Sequence, residues 1–129
     1  MQIRAAVLHE PGRPIAIEEV GLDPPKAGEV LVRVAAAGVC HSDVLLADGA
    51  LGDGRWPMVL GHEGAGVVEA AGAGVTHVAP GDPVCFCIVP SCRSCVECRR
   101  GRFNLCVPAG ENGVRGTLLD GTSRLSLPD

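Results

Sequence analysis

Pro90–Cys106, PSCRSCVECRRGRFNLC, carries four cysteines spaced C-x2-C-x2-C-x7-C: Cys92, Cys95, Cys98 and Cys106. Two residues between cysteines let a tight turn aim both thiolates at one point, and the longer spacer brings in a more distant fourth sulfur. A four-cysteine set with no open position is the structural type of zinc site. A pair of disulfides is the competing arrangement, but knuckle spacing fits a metal better than the scattered pairs of a secreted scaffold. A chain that spends four cysteines on one protruding loop needs another kind of core to carry it.

The flanking sequence predicts that core to be mainly β. Aromatic side chains are scarce, with Trp56, Phe86, Phe103 and no tyrosine, so Val, Ile, Leu and Ala must fill it. The 18 glycines and 10 prolines favour a turn-rich β architecture over a helical bundle. Ile3–Leu8 and Ile15–Val20 read as short strands around a Pro-Gly turn. From Val30 to Ala36 apolar residues recur with a period of two, which predicts a strand with one covered face. Gly64–Ala71 and Val84–Val89 are further strands, and Thr117–Leu125 reads as a hairpin around Asp120-Gly121. Only Ser42–Asp48 reads as a helix, with Ser42 as its N-cap and Gly49 as its stop. At 129 residues there is room for one domain with a modest core.

The net charge of −4 argues against nucleic acid as the main partner. No apolar run is long enough to span a bilayer, so no membrane partner is expected. Seven cysteines without an export signal predict a reducing, cytoplasmic setting.

Two shorter segments carry chemistry. Gly38-Val39-Cys40-His41-Ser42-Asp43 puts a cysteine where a strand gives way to a helix, a setting that favours a thiolate. Gly61-His62-Glu63-Gly64-Ala65-Gly66 sets a histidine and a carboxylate between glycines. A lone Cys is ordinarily core, and a lone His ordinarily a satisfied polar residue. The order G-x-C-H-S-D, G-H-E-G-x-G, G-D-x-V, C-x2-C-x2-C-x7-C is much more specific. It resembles the zinc-dependent alcohol dehydrogenases of the medium-chain dehydrogenase/reductase family, over nearly all 129 residues. Pro90–Leu105 and the downstream Asp120-Gly121-Thr122 are similar to the group that includes thiol-adduct formaldehyde dehydrogenases.

That resemblance implies a GroES-like, partly open β-barrel with a zinc-binding loop at about residues 90–108 and short helices. It implies Cys40 and His62 as two of three protein ligands of a catalytic zinc, and Cys92, Cys95, Cys98 and Cys106 as ligands of a structural one. Ser42 would bond the reacting oxygen and pass on its proton, Asp43 would orient His62, and Glu63 would assist ligand exchange beside the metal. His41 matches a position that touches a cofactor pyrophosphate. Ile88, Trp56 and Leu51 would wall the substrate pocket. The bland alternatives are that Ser42 is only an N-cap and Asp43 only a first-turn acid.

Implied as well are a small-molecule alcohol or aldehyde substrate, NAD(P) as hydride acceptor and a homo-oligomeric full-length form. There are two departures. Where many members carry a histidine of the proton relay, this chain has Leu45. The third catalytic ligand and the dinucleotide-binding domain lie downstream in the family, so residues 1–129 are expected to be the N-terminal part of its catalytic domain. Gly64-Ala65-Gly66 and Gly72-Ala73-Gly74 lack the third glycine and the following helix of a dinucleotide fingerprint.

The period-two Cys85 and Cys87 are expected to be buried thiols, and His9 and His77 solvated. Two other readings compete: a non-catalytic zinc-binding β domain, and a four-cysteine nucleic-acid module using Arg93, Arg99, Arg100 and Arg102. The second leaves Cys40 and His62 unexplained.

Overall fold

The computed structural model describes residues 1–51, 54–113 and 115–128. In chain order the elements are β1 (Gln2–Leu8), β2 (Ala16–Leu22), β3 (Val30–Gly38), α1 (His41–Ala47), β4 (Met58–Val59), β5 (Glu63–Ala71), β6 (Pro83–Cys85), α2 (Val96–Arg99), a 3-10 turn (Phe103–Leu105), α3 (Val107–Gly113) and β7 (Leu125–Ser126). They form two antiparallel sheets, ordered β4-β1-β2-β7 and β3-β5-β6, so the mainly β expectation holds.

In the first sheet, alternate residues of β1 turn inward. Ala5 and Val7 pack with Val20 of β2, and Ile3, Val59 and Leu125 close over them. Ile3 lies opposite Val20 and Val7 opposite Ala16, so one register serves both the ladder and the core. In the second sheet, β3 pairs along most of β5 but slips between Leu31 and Val32 and again between Val34 and Ala36. Such irregularities bend a strand. Gly66 permits the close approach of the two strands, because a Cβ there would collide with the Arg33 carbonyl. The covered face expected for β3 is only partial: Val34 stays 52% exposed.

Far along the chain, Arg124 is 8% exposed and ties the two sheets' neighbourhoods together. Its Nε donates to Glu29 Oε2 at 3.0 Å and its Nη2 to Asp120 Oδ2 at 2.8 Å. The hydrogen bonds to Arg124 hold the Glu29 and Asp120 carboxyls below the usual carboxylate range.

Several sequence expectations need correction. The N-cap of α1 is Cys40 rather than Ser42. The Asp43 carboxylate reaches back to accept from the Cys40 N–H at 2.9 Å, so the acid at the third helical position does the capping. Gly49, at φ 77°, does stop the helix. The strand expected over Val84–Val89 ends at Cys85, with one further backbone hydrogen bond from the Phe86 N–H to Gly64 O. The Asp120-Gly121 turn forms, with Gly121 donating to Leu118 O and Leu118 donating to Thr122 O, but no strand ladder extends from it among the described residues. Leu125 and Ser126 join β2 instead, where Leu22 and Gly21 offer free ladder positions. Helices α2 and α3 add to the one foreseen. Val107–Gly113 reads poorly as helix because of Pro108, Gly110 and Gly113, yet Pro108 falls in the first turn, where a proline is tolerated.

Candidate metal centres

The lobe brings its four sulfurs together. Those of Cys92, Cys95, Cys98 and Cys106 all lie within 4.8 Å of one another, and Cys92 Sγ is 4.0 Å from Cys98 Sγ. A tetrahedral zinc with Zn–S bonds of about 2.3 Å separates its sulfurs by roughly 3.8 Å. A disulfide would require about 2.05 Å, and all seven cysteines are free thiols. Local backbone makes this convergence possible. Arg93 takes φ 57° and Gly101 φ 78°, two sharp reversals around α2. The Cys92 N–H donates to Cys106 Sγ and the Cys95 N–H to Cys92 Sγ, each at 3.3 Å.

Charge decides what such a cluster needs. The Ser94 hydroxyl, with the Ser94 and Cys95 N–H groups, lowers the Cys92 thiol to about 6, so one thiolate is held without metal. Burial pushes the Cys98 thiol up to about 12, with Cys95 adding to the rise. One buried spot cannot carry several thiolates unless a cation joins them. The residues fit a structural zinc. Around them, Glu97 pairs with Arg100 at 3.4 Å and Arg102 at 3.5 Å, so part of the arginine cluster is neutralised within the lobe itself.

The second centre is built from ends of elements. Cys40 follows β3 and opens α1, while His62 precedes β5 and Glu63 begins it. One donor atom from each of Cys40, His62 and Glu63 lies within 4.8 Å of the others. Asp43, 8% exposed, holds the arrangement from beneath. Its Oδ2 caps the helix, and its Oδ1 sits 3.3 Å from His62 Nδ1. That oxygen makes no hydrogen bond in the structure, and His62 Nδ1 is the group that faces it. With its Nδ1 edge turned to Asp43, the ring directs Nε2 away from that carboxylate, the orientation a metal-binding histidine uses. The site fits a divalent metal of zinc's preferences.

Electrostatics follow from this packing. The Ser42 hydroxyl, then the Ser42 N–H and His62, lower the Cys40 thiol. Burial alone would lower His62, but its bond to Cys40 and the charges of Asp43, Cys40 and Glu63 outweigh that and raise it. Glu63 lies over Gly38: a Cβ on that glycine would meet its carboxylate.

Beside this centre runs a cavity of about 440 Å³, to which Ser42, Asp43, His62, Leu51 and Ile88 all contribute. Trp56, expected in its wall, is not among the described lining residues; Met58 and Asn112 are, which the sequence reading missed. Asn112 was hidden because it lies on α3, an element with weak helix propensity, whereas Met58 comes from β4. His41 is exposed at the start of α1. His9 and His77 are also exposed, with His9 bonded to Glu18 at 2.8 Å. Cys85 and Cys87 are not buried: both are exposed, because β6 is a sheet edge.

The sequence profile of the alcohol dehydrogenase GroES-like domain matches residues 26–124. The chain belongs to that family. It is 47% identical over 129 residues to the S-(hydroxymethyl)glutathione dehydrogenase of Paracoccus denitrificans, covering all of this chain and 34% of that protein. It is 48% identical over the same length to the alcohol dehydrogenase class-3 of Cereibacter sphaeroides, again covering 34% of it. The crystal structure of an alcohol dehydrogenase zinc-binding domain protein from Burkholderia ambifaria superposes with a TM-score of 0.87 at 38% identity, over 97% of this chain and 33% of that one. The chain thus spans about a third of the length of the curated relatives it matches, and its fold is the GroES-like, partly open barrel that the motifs implied. Among the described residues, no helix of this family member is long and apolar enough to cross a membrane.

Proposed function

We propose that residues 1–129 are the N-terminal part of the catalytic domain of a zinc-dependent alcohol dehydrogenase, with a structural zinc lobe at about residues 90–108. The observation that carries this is the Asp43–His62 pair, which turns His62 Nε2 away from Asp43, beside Cys40 at the edge of a cavity. Cys40 and His62 would hold the catalytic zinc with Glu63 alongside, and Cys92, Cys95, Cys98 and Cys106 the structural one. Zinc bound at the first centre supplies Lewis acidity, which makes a substrate hydroxyl easier to deprotonate.

The chain's own residues do the rest. Ser42, between Cys40 and the cavity, accepts the hydroxyl proton and passes it on. Asp43 fixes the ring and tautomer of His62. Leu51 and Ile88 give the cavity an apolar wall. With Leu45 in place of a relay histidine, the proton leaves through solvent.

The substrate class is a primary alcohol, including hydroxymethyl adducts of thiols, which the named relatives support. NAD(P) is the proposed hydride acceptor, with His41 toward its pyrophosphate. No dinucleotide fold is built from the described residues: Gly64 and Gly66 lie inside β5 rather than at a strand-to-helix turn. The full-length form is proposed to be a cytoplasmic homo-oligomer.

The test is alcohol-dependent NAD(P) reduction. The 129-residue chain should show none, and a polypeptide of the relatives' length that carries it should be active. In the longer form, Cys40→Ala or His62→Ala should abolish turnover with the lobe zinc retained, and Ser42→Ala should lower kcat with little change in metal content. Zinc-dependent NADH production by the 129-residue chain would refute the reading.

A further inference from the structure

Two thiols stand apart from both metal centres. Cys85 ends β6 and lies opposite Ala65 of β5, and Cys87 follows two residues later. Paired residues of a ladder project to the same side, so Cys85 shares the face of Ala65. The ladder continues one step further, with the Phe86 N–H donating to Gly64 O at 2.8 Å. Phe86 itself turns to the other side: its ring fills the space a Cβ on Gly64 would occupy. Phe86 thus points away from the side of Cys85, and Cys87 follows just past the end of the strand, with only Phe86 between it and Cys85 in sequence. Both cysteines are exposed, and the Cys87 thiol donates to Val89 O at 3.4 Å.

We propose that Cys85 and Cys87 form a dithiol which hydroperoxides close to a disulfide. One thiolate attacks the peroxide, the O–O bond breaks, and an alcohol or water departs, leaving a sulfenic acid. The neighbouring thiolate then displaces the hydroxyl, which leaves as water when it takes up a proton, and the S–S bond forms. Two electrons pass from the sulfurs to the peroxide, and a dithiol reductant reverses the change.

Closure moves the backbone. Alternate strand residues lie about 6.7 Å apart, at the long end of the roughly 4.4–6.8 Å that a disulfide spans. Forming the bridge contracts the segment, breaks the Phe86–Gly64 hydrogen bond and lifts Phe86 from Gly64, the residue two places after His62. Ile88 and Val89, which border the cavity, follow directly in the chain. Oxidation at this exposed edge therefore reaches the wall of the site without touching a ligand.

The experiment treats the zinc-loaded chain with stoichiometric hydrogen peroxide, alkylates it in the native state and maps the peptides. Both Cys85 and Cys87 should lose alkylation together, with the peptide lighter by two hydrogens, the lobe cysteines unchanged and full recovery on reduction. In Cys85→Ser and Cys87→Ser the remaining thiol should stop at a sulfenic acid that dimedone traps. Amide exchange at Phe86 should speed up in the oxidised wild-type chain only. Continued alkylation of both thiols, oxygen addition without a bridge, or bridging to a lobe cysteine would each overturn the proposal.

Discussion

The lobe and the open centre use the same element chemistry in opposite ways. The lobe takes four sulfurs from a single stretch whose ends, Cys92 and Cys106, are 14 residues apart. It buries Cys98 and Cys106 and leaves no coordination position unused. The open centre borrows Cys40 from one side of the β3–β5 pair and His62 from the other, leans on a carboxylate beneath, and faces a cavity. Local closure favours permanence. Assembly from distant strand ends ties the metal's position to the sheet, and an open side leaves room for a reactant. On the proposed reading the difference is one of purpose: the first centre would hold a loop, while the second would present an ion.

The largest effect that tests this contrast is metal loss from the lobe. After dialysis the chain should retain about one zinc, and Cys98→Ser should retain none, whereas Cys40→Ser should keep the lobe's metal. Structural zinc contributes on the order of 10–16 kcal/mol to small Cys-rich units at neutral pH, so Cys98→Ser should also disorder residues 92–106 by amide exchange. Two zincs surviving dialysis would erase the distinction between the centres.

A smaller effect probes the support of the open centre. Asp43→Asn keeps a helix-capping acceptor but removes the charge facing His62. Loss of such a supporting carboxylate lowers metal affinity by about 10–100-fold. Competitive cobalt titration should show that drop at the open centre and none at the lobe.

The smallest effect is in pH. A ligating histidine must be neutral, and His62 is raised above the ordinary histidine value of 6.5 by Cys40 and the acidic groups around it. On acidification its proton therefore competes with metal before the pH has fallen to that value, and affinity drops about tenfold per further unit for each proton taken up. The lobe contains no histidine. Zinc titrations at falling pH should empty the open centre first, and the reverse order would break the comparison.

How much of this could be read in the sequence depends on how local the determinant is. Cysteine spacing encodes the lobe directly, because a knuckle is a property of a few consecutive residues. Cys40, His62 and Asp43 were legible because glycines and a strand-to-helix junction frame them. The fate of Cys85 and Cys87 was not: period two tells that two residues share a face, never whether anything covers it. Thr117–Leu125 misled for a related reason. A turn signal fixes the reversal at Gly121, but Leu125 pairs with whichever strand has vacant backbone groups, and β2 had them. Helix α3 was invisible because Cys106 and the buried Ala109 anchor a segment whose propensity opposes it.

The Arg124–Glu29 contact joins residues 95 positions apart. Closing a loop that long costs more chain entropy than closing the lobe, although the cost grows only logarithmically with length. Contacts of such separation are made slowly, after local ones have formed. The cysteine lobe can therefore gather its metal while the sheets are still assembling. That separation predicts an order of events that runs against the order of burial: the outlying loop matures early, and the Arg124 guanidinium is the latch that shuts on Glu29, the residue leading into β3.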